Sequence, residues 1–181
     1  MERNVALIAL FAALIAALGL IPKVTLGFGV PITAQSLGVM LCGTVLGARR
    51  GTLAVLLFLL LVAIGLPLLA GGRGGLGVFT SPTVGFLVGF PLAAFVTGLI
   101  TERWRAAPLT LVAGIAAAVG GIVVLYGVGI AGLALVLGKS LPEAALLVAV
   151  FIPGDMLKAA VAGMLTSALA RARPAAVLSR S

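Results

Sequence analysis

The sequence predicts an all-α integral membrane protein: one compact bundle of six transmembrane helices, residues 1–181 forming a single membrane domain, with both termini cytoplasmic. Three observations predict it. The chain is 62% hydrophobic and 9% charged, with a mean hydropathy of +1.35, whereas a soluble domain is about 45–50% apolar and ~25% charged. The apolar residues fall into six runs close to the ~20 residues a membrane helix needs. The basic residues gather in alternate breaks between those runs, as they do in cytoplasmic loops.

The first run covers residues 4–21. It resembles a signal peptide but lacks a small-residue cleavage site followed by a polar chain, so it reads as the first membrane helix. The second run, 32–47, is short at face value. The third is 52–69, the fourth 83–100 and the fifth 109–130, although Gly127–Leu137 is also apolar and leaves that boundary open. The sixth is 144–170, long enough to tilt or to begin irregularly. Strand-like alternation between turns is missing, which argues against a membrane β-barrel.

With the N-terminus inside, the inner breaks carry Arg3, Arg49, Arg50, Arg103, Arg105, Arg171, Arg173 and Arg180. The outer breaks carry Lys23, Arg73 and Lys139, and Lys158 is left within a run. The net charge of +8 therefore reads as topology, and no nucleic-acid partner is expected. Arg49, Arg50 and the C-terminal arginines are secondary candidates for contacts with anionic membrane lipids. Trp104 and Arg105 read as anchors at the inner water boundary.

One run contains charges in its interior. Phe151-Ile152-Pro153-Gly154-Asp155-Met156-Leu157-Lys158 places a carboxylate and an ammonium three residues apart, hence on one helix face, with Phe151 on the same stripe. An ionisable group at membrane depth costs roughly 2.5–3.5 kcal/mol on insertion scales, so it faces the interior and has a partner. An acceptor beside a donor suits a cyclic urea, whose N–H groups donate and whose carbonyl accepts. Pro153-Gly154 predicts a kink or helix start lining a cavity. The alternatives are a structural ion pair, or a proton relay with Tyr126 and Cys42 as its other intramembrane groups.

Other segments carry weaker signals. Gly71-Gly72-Arg73-Gly74-Gly75 reads as a flexible loop or as backbone that approaches a ligand, with Arg73, Gly74 and Gly75 open to an anionic end. Ser81 and Thr83 read as a helix start whose hydroxyls can also face a pocket. Thr33, Gln35 and Ser36 stand at the outer end of the second run: Thr33 and Ser36 as capping groups, Gln35 as a pocket donor and acceptor. Small residues four apart recur at Gly43/Gly47 and Gly85/Gly89, a spacing that lets helix backbones approach. The first run carries two such rows, Ala9/Ala13/Ala17 and Ala12/Ala16, and one of them is a candidate surface for a partner's helices.

An enzyme is disfavoured. The chain has no histidine, one cysteine (Cys42) and no Gly-x-x-x-x-Gly-Lys-Ser/Thr phosphate loop. A His/Cys metal site is not expected, nor is any cofactor. No inverted repeat points to a secondary carrier.

The succession of Pro31-Ile32-Thr33-Ala34-Gln35, Leu46-Gly47-Ala48-Arg49-Arg50-Gly51, the glycine loop with Phe79-Thr80-Ser81-Pro82-Thr83-Val84-Gly85-Phe86-Leu87-Val88-Gly89-Phe90, and the Phe151–Lys158 motif resembles the BioY family. These are the biotin-binding substrate-capture subunits of energy-coupling factor (ECF) vitamin transporters. The resemblance spans most of the chain. It implies high-affinity biotin capture and uptake across the prokaryotic cytoplasmic membrane, with a pocket closed by the outer connections between helices one and two and between three and four. It implies that Asp155 and Lys158 meet the ureido ring, with Phe151, Gln35, Thr33, Arg73, Gly74, Gly75, Ser81 and Thr83 as further biotin-binding candidates. It also implies that the alanines at 9, 12, 13, 16 and 17 meet a transmembrane coupling subunit driven by two ATPases. The alternative is a stand-alone or homo-oligomeric biotin carrier. Two departures stand out: the family's Gly-Pro-Thr-Gly-Gly is Ser81-Pro82-Thr83-Val84-Gly85 here, and Arg73 stands where the family often has a polar amide.

Overall fold

The computed structural model describes residues 2–22, 24–25 and 31–180. Lys23 and most of the predicted first outer connection lie outside the described residues. Helix α1 covers Glu2–Leu18, α2 Gln35–Leu46, α3 Ala48–Ala63 and α4 Val84–Arg103. Helices α5 (Leu109–Ala118) and α6 (Leu125–Leu137) are joined by a π-helical segment, Val119–Val124. Helix α7 covers Leu141–Ala149 and α8 Ile152–Ala172. A two-residue ribbon precedes α2: β1 (Val24–Thr25) pairs antiparallel with β2 (Pro31–Ile32).

Each of the six predicted runs contains helix. By length and apolarity, Val84–Arg103 and Leu109–Leu137 suffice to cross a membrane, and α7 with α8, bent by 62°, adds a third where the pair is counted as one span. Helices α1, α2 and α3 are shorter, at 17, 12 and 16 residues. The shortest, α2, is the centre of the bundle. Every residue of it except Leu37 is buried, packed among α1, α3, α4 and α8. Glycines make that packing close: a Cβ on Gly38 would lie 3.0 Å from Ile15 of α1, and one on Gly43 2.6 Å from Thr97 of α4. The Gly85 row serves α6 in the same way, with a Cβ 2.6 Å from the Val128 carbonyl. These small-residue rows are internal packing.

The third run, predicted to reach Leu69, is helical only to Ala63, and residues 66–73 form a turn. Two further boundaries differ from expectation. Helix α3 begins at Ala48, so Arg49 and Arg50 are helical and not loop. The turn before them is Gly47, whose φ of +84° needs no Cβ. Glu102 fills the space a side chain would take there and accepts the Ala48 N–H at 2.9 Å. The fifth span runs on to Leu137, because nothing in Gly127–Leu137 breaks a helix before Gly138 (φ +62°) closes it. The C-terminal tail folds back onto the bundle. Val177, Leu178 and Ser179 are buried, and the Ser179 hydroxyl donates to the Thr44 carbonyl at 2.5 Å.

The alanine rows of α1 separate. Ala9, Ala13 and Ala17 are exposed, Ala16 is half-buried and Ala12 is buried at 2% exposure. Ala12 is therefore corrected from a partner-facing residue to a core residue. Its row turns inward because Phe11, Ala12 and Ile15 form the buried face of α1.

Candidate functional site

The bend between α7 and α8 brings Phe151, Asp155 and Lys158 to the wall of a cavity, as the Pro-Gly irregularity predicted. Pro153 lies in the first turn of α8, where its missing N–H costs no helical bond. The cavity volume is about 70 Å³, and it opens into a mouth of open solvent. Its polar wall is Thr33, Gln35, Ser36, Arg73, Thr83, Tyr126, Asp155 and Lys158; its apolar wall includes Leu69, Phe86, Phe90 and Phe151.

Asp155 and Lys158 form an ion pair at 2.7 Å, and they do not close only on each other. The Lys158 ammonium has three donors. They go to Asp155 Oδ1 at 2.7 Å, Ser36 Oγ at 3.0 Å and the Thr33 carbonyl at 2.6 Å. Asp155 is 5% exposed. Its Oδ1 also accepts from Ser36 Oγ at 3.0 Å, and its Oδ2 accepts the Tyr126 hydroxyl at 2.5 Å. A carboxylate has about four lone-pair positions. Three are occupied by these bonds, which leaves one position on Oδ2. The Phe86 ring meets Tyr126 edge-on, with centroids 6.3 Å apart at 78°, and holds the phenol in place.

Gln35 is 2% exposed, and both its amide hydrogens and its oxygen have backbone partners. Nε2 donates to the carbonyls of Ile15 (3.2 Å) and Leu68 (3.1 Å), and Oε1 accepts the Ala70 N–H at 3.0 Å. Thr33 lines the cavity, its hydroxyl accepting the Gln35 backbone N–H at 3.3 Å. Arg73 also lines it; burial pushes its guanidinium below the ordinary arginine pKa, and no carboxylate lies within salt-bridge distance of it among the described residues.

Three candidates stand away from the wall. Gly74 packs against the Leu66 carbonyl, where a side chain would collide. Gly75 has φ +80° and donates its N–H to Val62 O at 2.8 Å, so it shapes the turn. Ser81 donates to Val78 O at 2.7 Å, and its hydroxyl is 2.7 Å from that of Thr83, the member of the pair that faces the cavity.

The wall residues not singled out as ligand contacts are Ser36, Tyr126, Leu69, Phe86, Leu87, Phe90 and Leu125. Phe86 and Phe90 carry a legible signal, because they are four apart on one face of α4. Ser36 and Gln35 are adjacent, and helical spacing alone does not say which of them faces the charged pair. Tyr126 was visible only as a rare intramembrane hydroxyl. The π-helical segment rotates the residues after it by an amount a 3.6-residue period does not anticipate.

Comparisons with known proteins agree in kind. The model of the BioY family matches residues 2–175. The chain is 59% identical over 189 residues to the biotin transporter BioY of Rhodobacter capsulatus, covering 99% of this chain and 100% of that one. It is 57% identical to the biotin transporter BioY of Rhizobium etli, over 92% of each chain. Its fold matches the crystal structure of the S-component for biotin from an ECF-type ABC transporter, with a TM-score of 0.89 and 30% identity over 94% of this chain and 92% of that one.

Proposed function

The chain belongs to the BioY family, and from that premise we propose that it captures biotin and serves its uptake across the prokaryotic cytoplasmic membrane as the substrate-binding subunit of an ECF transporter. The observation that carries this is the array of Asp155, Lys158, Ser36 and Tyr126 on the wall of one cavity. A ureido ring offers two N–H donors and one carbonyl. The open lone pair of Asp155 Oδ2 takes an N–H, and Lys158 or Ser36 turns a donor from its present partner to the ring carbonyl. Each ligand bond replaces or adds to one already made, so no charge is stranded on entry.

Phe86, Phe90, Phe151 and Leu69 cover the apolar body of the ligand. Arg73 is the cation for its carboxylate. Its half-buried guanidinium already bears a desolvation cost, which an anion relieves. Thr33 and Thr83 complete the polar wall.

The exposed Ala9/Ala13/Ala17 row supports docking of a transmembrane coupling subunit, to which two ATPases would supply the energy. The basic residues, eight at predicted inner positions and three at outer ones, support termini on the cytoplasmic side. Calorimetry on the purified protein tests the capture step. Saturable binding of biotin and of desthiobiotin, which keeps the ureido ring, is expected at micromolar ligand or below. No heat with either ligand would reject biotin capture.

A further inference from the structure

Gln35 stands at the cavity wall, yet each of its amide hydrogens already has a backbone carbonyl partner and its oxygen a backbone N–H. The amide orientation follows from those partners: the reverse would face N–H against N–H and oxygen against two carbonyls. The three groups it satisfies belong to two elements. Ile15 is in α1, while Leu68 and Ala70 enter the turn that carries Leu69 and Arg73.

That turn is tightly closed on itself. Leu69 N–H donates to Arg73 O at 3.0 Å, Arg73 N–H returns to Leu69 O at 3.2 Å, and Gly72 N–H reaches the same carbonyl at 2.9 Å. Gly71 (φ +81°) and Gly72 (φ +70°) permit it. Arg73 Nε reaches Ala70 O at 3.5 Å, so the residue Gln35 holds through its N–H carries the guanidinium on its carbonyl. Gly19 completes the lock: a Cβ there would lie 2.6 Å from Leu68 O and 2.8 Å from Gln35 Nε2.

We propose that Gln35 is a positioning residue, which pins the Leu68–Arg73 turn to α1 and thereby sets Arg73 against the carboxylate of the ligand. The proposal rests on the assignment of Arg73 to that carboxylate. An amide N–H turned to the ligand would have to release a buried backbone carbonyl, which costs about 1–3 kcal/mol, so both amide hydrogens keep their backbone partners when ligand binds.

The test compares biotin with its methyl ester, which keeps the ring and loses the charge, by calorimetry on the full chain in detergent. Arg73→Met is expected to remove the wild-type preference for biotin over the ester. Gln35→Met is expected to lower affinity for biotin about tenfold, the scale of one charge-assisted contact, while ester affinity stays within about threefold. In the double variant the preference is expected to be no smaller than in Arg73→Met alone. Equal losses on both ligands in Gln35→Met would overturn the positioning role in favour of direct contact or general loosening. Should Gln35→Met not fold, Gln35→Glu keeps the Ala70 bond and loses both donors; a preference for biotin at wild-type strength in that variant would equally overturn it. If Arg73→Met itself leaves the preference intact, the carboxylate assignment fails and the proposal falls with it. If Arg73→Met removes the preference and Gln35→Met does not, only the role of Gln35 fails.

Discussion

Replacing Asp155 by asparagine changes one atom and reverses the hydrogen-bond sense of half the group. In the native site Oδ1 accepts Lys158 at 2.7 Å and Ser36 at 3.0 Å, and Oδ2 accepts Tyr126 at 2.5 Å. Asparagine has one oxygen. With that oxygen on the Lys158 side, its NH₂ faces both the Tyr126 hydroxyl and the ring N–H of the ligand, donor against donor. With the amide flipped, the NH₂ faces the ammonium. Either way the ligand loses a charged acceptor, worth about 1.5–3 kcal/mol, or roughly 10- to 150-fold in affinity at 1.4 kcal/mol per decade. Calorimetry with biotin on Asp155→Asn reads this directly, with a thermal melt of the ligand-free protein to confirm folding. A dissociation constant within about threefold of wild type, in a folded variant, would remove Asp155 from the ligand.

Three further outcomes follow from the packing. Ala13→Leu alters the exposed row of α1, so biotin affinity in detergent should stay within about twofold, while uptake by cells containing the coupling subunit and ATPases should fall. Retained uptake would dissociate that row from coupling. Ala12→Leu fills a site that is 2% exposed and should lower the melting temperature by overpacking, a cost of about 1–3 kcal/mol. Gly43→Ala puts a Cβ 2.6 Å from Thr97 and 2.7 Å from the Ala94 carbonyl and should destabilise by a similar amount; an unchanged melt would show that α2 and α4 can separate freely. Cells that hold this protein without a coupling subunit or ATPases should not accumulate labelled biotin, and accumulation would favour the stand-alone carrier.

Charge placement made part of the site legible. Asp155 and Lys158 are carried within an apolar run, and Pro153-Gly154 announces the bend that turns them inward. The fold class was legible for the same reason, since six apolar runs with basic breaks leave few other architectures. What the sequence hid was rotation. The difference between Ser36, which joins the charged network, and Gln35, which ties backbone to backbone, is the angle of one residue step on α2. The inward aim of Tyr126 depends on six π-helical residues, Val119–Val124, whose Gly120 and Gly121 pack against Thr97 and Met40. The roles of Gly74 and Gly75 required knowing where the Leu66 and Val62 carbonyls lie. The two alanine rows of α1 are alike in composition, and only packing against the bundle distinguishes Ala12 from Ala13.

The most direct measurement is a thermodynamic cycle between Asp155 and the ligand. Biotin and biotin methylated at a ring nitrogen are titrated into wild type and Asp155→Asn. If the carboxylate holds a ring N–H, methylation should cost wild type at least about tenfold more than it costs the variant, a coupling near 1.4 kcal/mol. Equal losses in the two proteins would contradict a bond between Asp155 and the ureido edge.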